Sequence, residues 1–184
     1  MKTLAMLAAA AILGAAIPAA AAGIMRAETR VVSYTPSMTT ARTHGRAYRG
    51  SCWTSSIASQ RADAFRCMVR NEIFDPCFSS GPHNVVCPSP PDAVHGTFIS
   101  MNKPLPPHMG PIHRNVWMMQ LAGGINCSMG TGTLVSGFPF YCTKNLVCEA
   151  PAMRNGPIFV TCGTARNAVT VEQRSRYLAQ VVYT

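Results

Sequence analysis

The chain predicts a mainly β fold, a small antiparallel sandwich or barrel with one short helix, stapled by disulfides. Three observations predict it. Eight cysteines fall into two groups of four, Cys52, Cys67, Cys77 and Cys87, then Cys127, Cys142, Cys148 and Cys162. Short β-branched and aromatic runs alternate with Gly, Pro and Asn, as strands do with tight turns. An apolar N-terminal run directs the chain to an oxidising compartment, where an even cysteine count reads as a disulfide framework.

That run comes first in the chain. Met1 and Lys2 precede an Ala- and Leu-rich stretch from Leu4 to Ile17, closed by Pro18 and small residues. A membrane span needs roughly 20 apolar residues with anchoring flanks, so this layout reads as a cleaved secretory signal over residues 1–22. No later segment approaches spanning length. The mature chain is therefore expected to be secreted or periplasmic, with no transmembrane segment. Residues 23–49 carry Arg26, Arg30, Arg42, Arg46 and Arg49 against Glu28 alone, which predicts a flexible basic arm to which Val31–Tyr34 could add one strand.

Residues 50–184 are expected to form one disulfide-rich domain. Between Arg61 and Val69, the residues Ala64, Cys67 and Met68 recur at helical spacing and predict the short helix. Asn71 to Pro76 is then expected to turn the chain, since Pro76 disfavours helix at Asp75. Ser79-Ser80-Gly81-Pro82 is a second turn signal, and Val85–Cys87 reads as a strand. Seven prolines lie between positions 88 and 111. Such density removes ladder donors and predicts a connector with one embedded strand, Thr97–Ser100. Beyond it, Val116–Leu121, the Ala122-Gly123-Gly124 turn and Ile125–Cys127 read as a hairpin. Further strands are expected over Thr133–Cys142, Leu146–Cys148, Ile158–Cys162 and Tyr177–Tyr183, the last favoured over a helix around Glu172–Arg176 for its β-branched end.

The grouping of the cysteines favours neighbours pairing in order: Cys52 with Cys67, Cys77 with Cys87, Cys127 with Cys142, and Cys148 with Cys162. A metal competes poorly, because zinc pairs sit two to four residues apart and five separate Cys142 from Cys148. Gly50-Ser51-Cys52-Trp53 matches the core of the papain-like nucleophile motif. Tyr48-Arg49 precede it without the family's first Cys, however, and the last histidine, His113, follows far sooner than the roughly 130 to 150 residues expected. Histidines His108 and His113 with Met101, Met109, Met118 and Met119 offer soft copper donors, but at no rigid spacing. Neither a metal nor a cofactor is expected.

Without Lys2 the chain has 15 basic residues against 7 acidic ones, and 13 of the basic ones are Arg. Arg presents a planar fork to carboxylate and phosphate, so the partner expected is an anionic envelope polymer, a lipid headgroup or an acidic protein. Arg66, Arg70, Arg114, Arg154 and Arg166 are the binding candidates; clustering would favour binding, scattering solubility. No phosphate loop, nucleophile elbow or paired aromatic platform is present, and nucleic acid is not expected. The alternative function is an envelope hydrolase working through Asp63, Glu72 or Asp75, against which Asp75 reads as a turn cap paired with Arg66 or Arg70.

The segments Gly50-Ser51-Cys52-Trp53-Thr54-Ser55-Ser56, Asp63-Ala64-Phe65-Arg66-Cys67-Met68 and Asp75-Pro76-Cys77-Phe78, with Val116-Trp117-Met118 through Tyr141-Cys142 after them, resemble a group of uncharacterised secreted bacterial cysteine-rich proteins. The resemblance spans roughly residues 50 to 142. It implies an exported cysteine framework and no particular activity.

Overall fold

Alternation with a period of two, rather than helical spacing, governs the first half of the chain. The computed structural model describes residues 27–36, 47–89 and 96–184. The expected signal segment, Arg26, Arg42, Arg46, His44, His95 and Asp92 lie outside these. Strands β2 (Tyr48–Ser55), β3 (Ala64–Val69), β4 (Glu72–Ser79), β5 (Asn84–Pro88) and β6 (Gly96–Met101) close into a five-stranded barrel. The short helix expected over 61–69 is strand β3: Phe65, Cys67 and Val69 point into the barrel while Arg66 and Met68 point out. A β alternation over so few residues also satisfies the i, i+3, i+4 count that suggested a helix. The turn expected at Asn71–Pro76 is likewise strand, β4, and the chain turns at Arg70–Asn71 instead. Pro76 follows a cis peptide bond and stands beside a register shift in the β3–β4 ladder, where a missing donor breaks no regular pairing. Strand β6 pairs antiparallel with β5 and parallel with β2, which closes the barrel.

Six strands form a second closed barrel: β7 (Met118–Leu121), β8 (Ile125–Met129), β9 (Phe140–Cys142), β10 (Leu146–Cys148), β11 (Ile158–Ala165) and β12 (Val171–Tyr183), with β12 returning to β7. The strand expected over 133–142 is only β9. The residues before it form a loop held by a single Val135–Phe138 bridge. A 3-10 turn at Thr143–Asn145 is the helical element among the described residues. Part of the expected arm is built into this barrel, because β1 (Arg30–Val32) pairs in parallel with the end of β12. Thr29 stitches the handover from β11 to β1, donating to the Ala179 carbonyl at 2.6 Å and accepting from the Ile158 N–H at 2.8 Å.

All four disulfides join neighbouring cysteines in order, as the spacing suggested. Each ties adjacent strands of one barrel and closes a loop of 10 to 15 residues, which contributes on the order of 3 kcal/mol. No free cysteine remains. Among the described residues no helix is long and apolar enough to cross a membrane.

The two barrels are copies of one plan. Disulfides link β2 to β3 and β4 to β5 in the first, β8 to β9 and β10 to β11 in the second. Cys52 and Cys127, Cys67 and Cys142, and Cys87 and Cys162 are each 75 positions apart. The same offset relates Phe65 to Phe140 and Gly81-Pro82 with Val85 to Gly156-Pro157 with Val160. A basic residue followed by Asn makes the hairpin turn after the second cysteine of each half, Arg70-Asn71 and Lys144-Asn145.

A shared apolar seam packs the copies together. Tyr34, Ala58, Ala64, Phe78, Trp117, Met118, Val181 and Tyr183 are buried in it. Trp117 lies 5.5 Å from Tyr34, 5.4 Å from Phe78 and 6.0 Å from Tyr183, ring centre to ring centre, within the range in which aromatic pairs attract beyond their buried area. Burial pushes the Tyr34 hydroxyl up to about 12, against the pull of the nearby Arg61 guanidinium. Arg61 clasps the seam at its edge. It holds Asp63 through two parallel bonds of 2.9 and 2.7 Å, donates to the Tyr34 carbonyl at 2.5 Å and the Thr184 carbonyl at 3.4 Å, and lies 4.6 Å over the Phe78 ring.

Candidate functional site

The carboxylates that suggested hydrolysis have three separate occupations. Asp63 is held by Arg61. The side chain of Asp75 is 1 % exposed. It accepts hydrogen bonds from the Ser56 hydroxyl and from the N–H groups of Ile57 at 3.1 Å and Ala58 at 3.4 Å, with Arg66 Nε 3.9 Å away. It therefore caps the turn after β2. Burial is the largest influence on its acidity and raises its pKa above the ordinary carboxylate range, against those hydrogen bonds and Arg66. Glu72 is exposed at one end of the first barrel. Cys52, the residue with a nucleophile's sequence context, is disulfide-bonded, and it sits in mid-strand instead of opening a helix. The sulfurs of Cys127, Cys142 and Cys148 lie within 4.8 Å of one another, but as two disulfides they offer no thiolate to a metal. Of the methionines that suggested copper, Met118 and Met119 are core filling.

The five arginines named from the sequence sit on five different parts of the fold. Arg66, on β3, holds Asp75 and lies 5.8 Å from the exposed Trp53 ring. Arg70 is at the β3–β4 turn, and Arg114, in the segment joining the barrels, donates to the Ser33 hydroxyl at 2.8 Å. Arg154 is exposed in the loop before β11, while Arg166 pairs with Glu172 at 2.9 Å across the β11–β12 hairpin. Two of the five thus already hold carboxylates.

Two arginines outside that set stand together. Strand β7 pairs with β12 only from Ala179 onward, whereas β11 pairs with it back to Val171. The first half of β12 is therefore a free outer edge on β11, which β10 backs over Cys162–Thr164; along this β11–β12 ribbon residues 172–176 are all exposed. Arg174 lies 5.1 Å over the Phe138 ring and Arg176 4.8 Å over the Phe159 ring. Each aromatic face supports the flat of a guanidinium, and Arg174 also directs its Nε–H to the Val171 carbonyl at 3.4 Å. Among the described residues no carboxylate lies within ion-pair distance of either. Residues two apart on a strand are about 6.8 Å apart along it, so the two charges repeat at a fixed interval. The sequence signal for this pair was Arg-x-Arg ahead of a β-branched end, Val181-Val182, obscured by the competing helical reading of 172–176.

No protein-family model matches the chain, and no curated protein or solved structure is significantly similar to it.

Proposed function

We propose that this protein is an exported binding module that holds an anionic polymer of the cell envelope, with Arg174 and Arg176 as its primary contacts. The observation that carries the reading is the aromatic-backed arginine pair on the β11–β12 ribbon. Stacking on Phe138 and Phe159 fixes both guanidinium planes in advance, so less side-chain freedom is lost when an anion binds. The excess of basic over acidic residues supplies a long-range attraction for the same partner. Four disulfides suit an oxidising compartment, and the apolar run expected to act as a secretory signal supports export.

Linear polyphosphate serves as the test polymer. Binding of the chain without residues 1–22 is expected to weaken steeply as salt rises. The Arg174→Ala, Arg176→Ala double variant should lose about tenfold in affinity or more, of the order expected for two charge-assisted contacts. Arg66→Ala should change little, since Arg66 is engaged by Asp75. Binding that is absent, salt-independent or unchanged in the double variant would sink the proposal, and binding only to phosphatidylglycerol vesicles would replace the polymer by a lipid surface.

A further inference from the structure

The mouth of the first barrel holds a cavity of about 500 Å³ lined by Tyr48, Val69, Arg70, Asn71, Glu72, Phe74 and Thr97, within the range of roughly 300 to 1,000 Å³ typical of small-ligand sites. Its floor is apolar, since Val69 and Phe74 belong to the barrel core. The half-exposed Tyr48 ring forms a wall. Around the rim stand one cation, one anion, an amide and a hydroxyl, from Arg70, Glu72, Asn71 and Thr97.

The duplicated half shows what this end of the plan looks like when it is tied to its own chain. There Asn145 stands 75 positions after Arg70, and its neighbour Lys144, the basic residue of that turn, donates from its Nζ to the Gly123 carbonyl at 3.0 Å. In the first half the basic residue lines an open cavity instead. Arg70 occupies left-handed backbone, at φ 55°, as Lys144 (φ 60°) and Asn145 (φ 57°) do in the other half; the conformation belongs to the shared turn, and glycine would cost less there.

We infer that this mouth binds a neutral sugar residue. A hydroxyl both donates and accepts, which matches a rim that mixes guanidinium, carboxylate, amide and hydroxyl. The apolar face of a pyranose ring matches the Tyr48 ring and the Val69–Phe74 floor. Glu72 offsets the charge of Arg70, so the cavity does not select a polyanion. The inference is independent of the arginine ribbon on the second barrel.

Isothermal titration and amide chemical-shift mapping of the intact mature chain test it, with glucose, N-acetylglucosamine, cellobiose and chitobiose as probes and glutamate and inorganic phosphate as controls. At least one saccharide should bind with a Kd between about 10 μM and a few mM, shifting amides confined to residues 48, 69–74 and 97. Tyr48→Ala and Asn71→Ala, both at exposed positions, should each weaken binding about tenfold, the loss of one good contact. Arg70→Gly should also weaken it while raising the thermal midpoint, a combination that a purely structural role for Arg70 does not produce. Arg174→Ala should leave saccharide binding unchanged. The inference falls if no saccharide shifts these amides up to about 10 mM, if binding survives the Tyr48 and Asn71 variants, or if glutamate or phosphate enters the mouth and saccharides do not.

Discussion

Asp75 shows how a residue with catalytic looks is used structurally. Its carboxylate receives a hydroxyl and two backbone N–H groups in a place that water scarcely reaches. Desolvation outweighs those bonds and raises its pKa. A group whose folded pKa is raised above its unfolded value contributes stability that is fully present below the unfolded pKa and is lost as pH rises through the folded one. In urea melts from about pH 3 to about pH 7, the wild-type chain should therefore lose stability relative to Asp75→Asn as pH rises. The opposite slope would show that the carboxylate is better accommodated as the anion. At this scale the sequence was partly legible: a pairing of Asp75 with Arg66 or Arg70 could be read from the basic residues nearby, whereas the turn it caps is the one after β2, 17 to 19 residues upstream, and not one before Pro76. The role of Arg61 could not be read, because its partners, the carbonyls of Tyr34 and Thr184, lie 27 and 123 residues away.

Among the elements, the strand expected at Leu146–Cys148 is β10 itself, and those expected at Thr97–Ser100, Ile158–Cys162 and Tyr177–Tyr183 lie within longer strands, β12 extending back to Val171. Their β-branched runs between turn residues carry a local signal that tertiary contacts do not override. Segment 61–69 was misread because helical and β periodicities coincide over so short a run, and only barrel closure decides between them. Segment 133–139 failed for a different reason: Gly137, at φ 78°, and Pro139 interrupt it, leaving no regular ladder. The β11–β12 ribbon depends on a glycine of its own. Gly163 lies at a register shift between Cys162 and Thr164, and a Cβ there would meet the Glu172 carbonyl at 2.5 Å and Val171 Cγ1 at 2.6 Å. Gly163→Ala is expected to cost about 1 to 3 kcal/mol, seen as a thermal midpoint lowered by several degrees. Because the ribbon carries Arg174 and Arg176, the same variant should weaken polyphosphate binding, while saccharide binding at the first barrel is retained.

For the whole molecule, the duplication was written in the sequence as Gly-Pro-x-x-Val-x-Cys occurring twice at an offset of 75 residues, but few other identities accompany it. Composition and periodicity therefore merged the two copies into one expected domain. The seam between the barrels rests on apolar packing around Trp117 and on the Arg61 clasp. No disulfide spans it: the bridges stop at Cys87 and resume at Cys127. The joining segment 102–117 is largely exposed, with Met109 65 % and Ile112 63 % accessible, and it lies where a protease can reach it. A single cut there leaves two oxidised fragments with no covalent bond between them. They should run together on a native sizing column and separate on a denaturing gel without reductant; co-migration on that gel would mean that a cross-link joins the halves. Clipping would thus turn a one-chain protein into a heterodimer of related subunits, each keeping its own cross-links, whose persistence depends on protein concentration as well as on temperature.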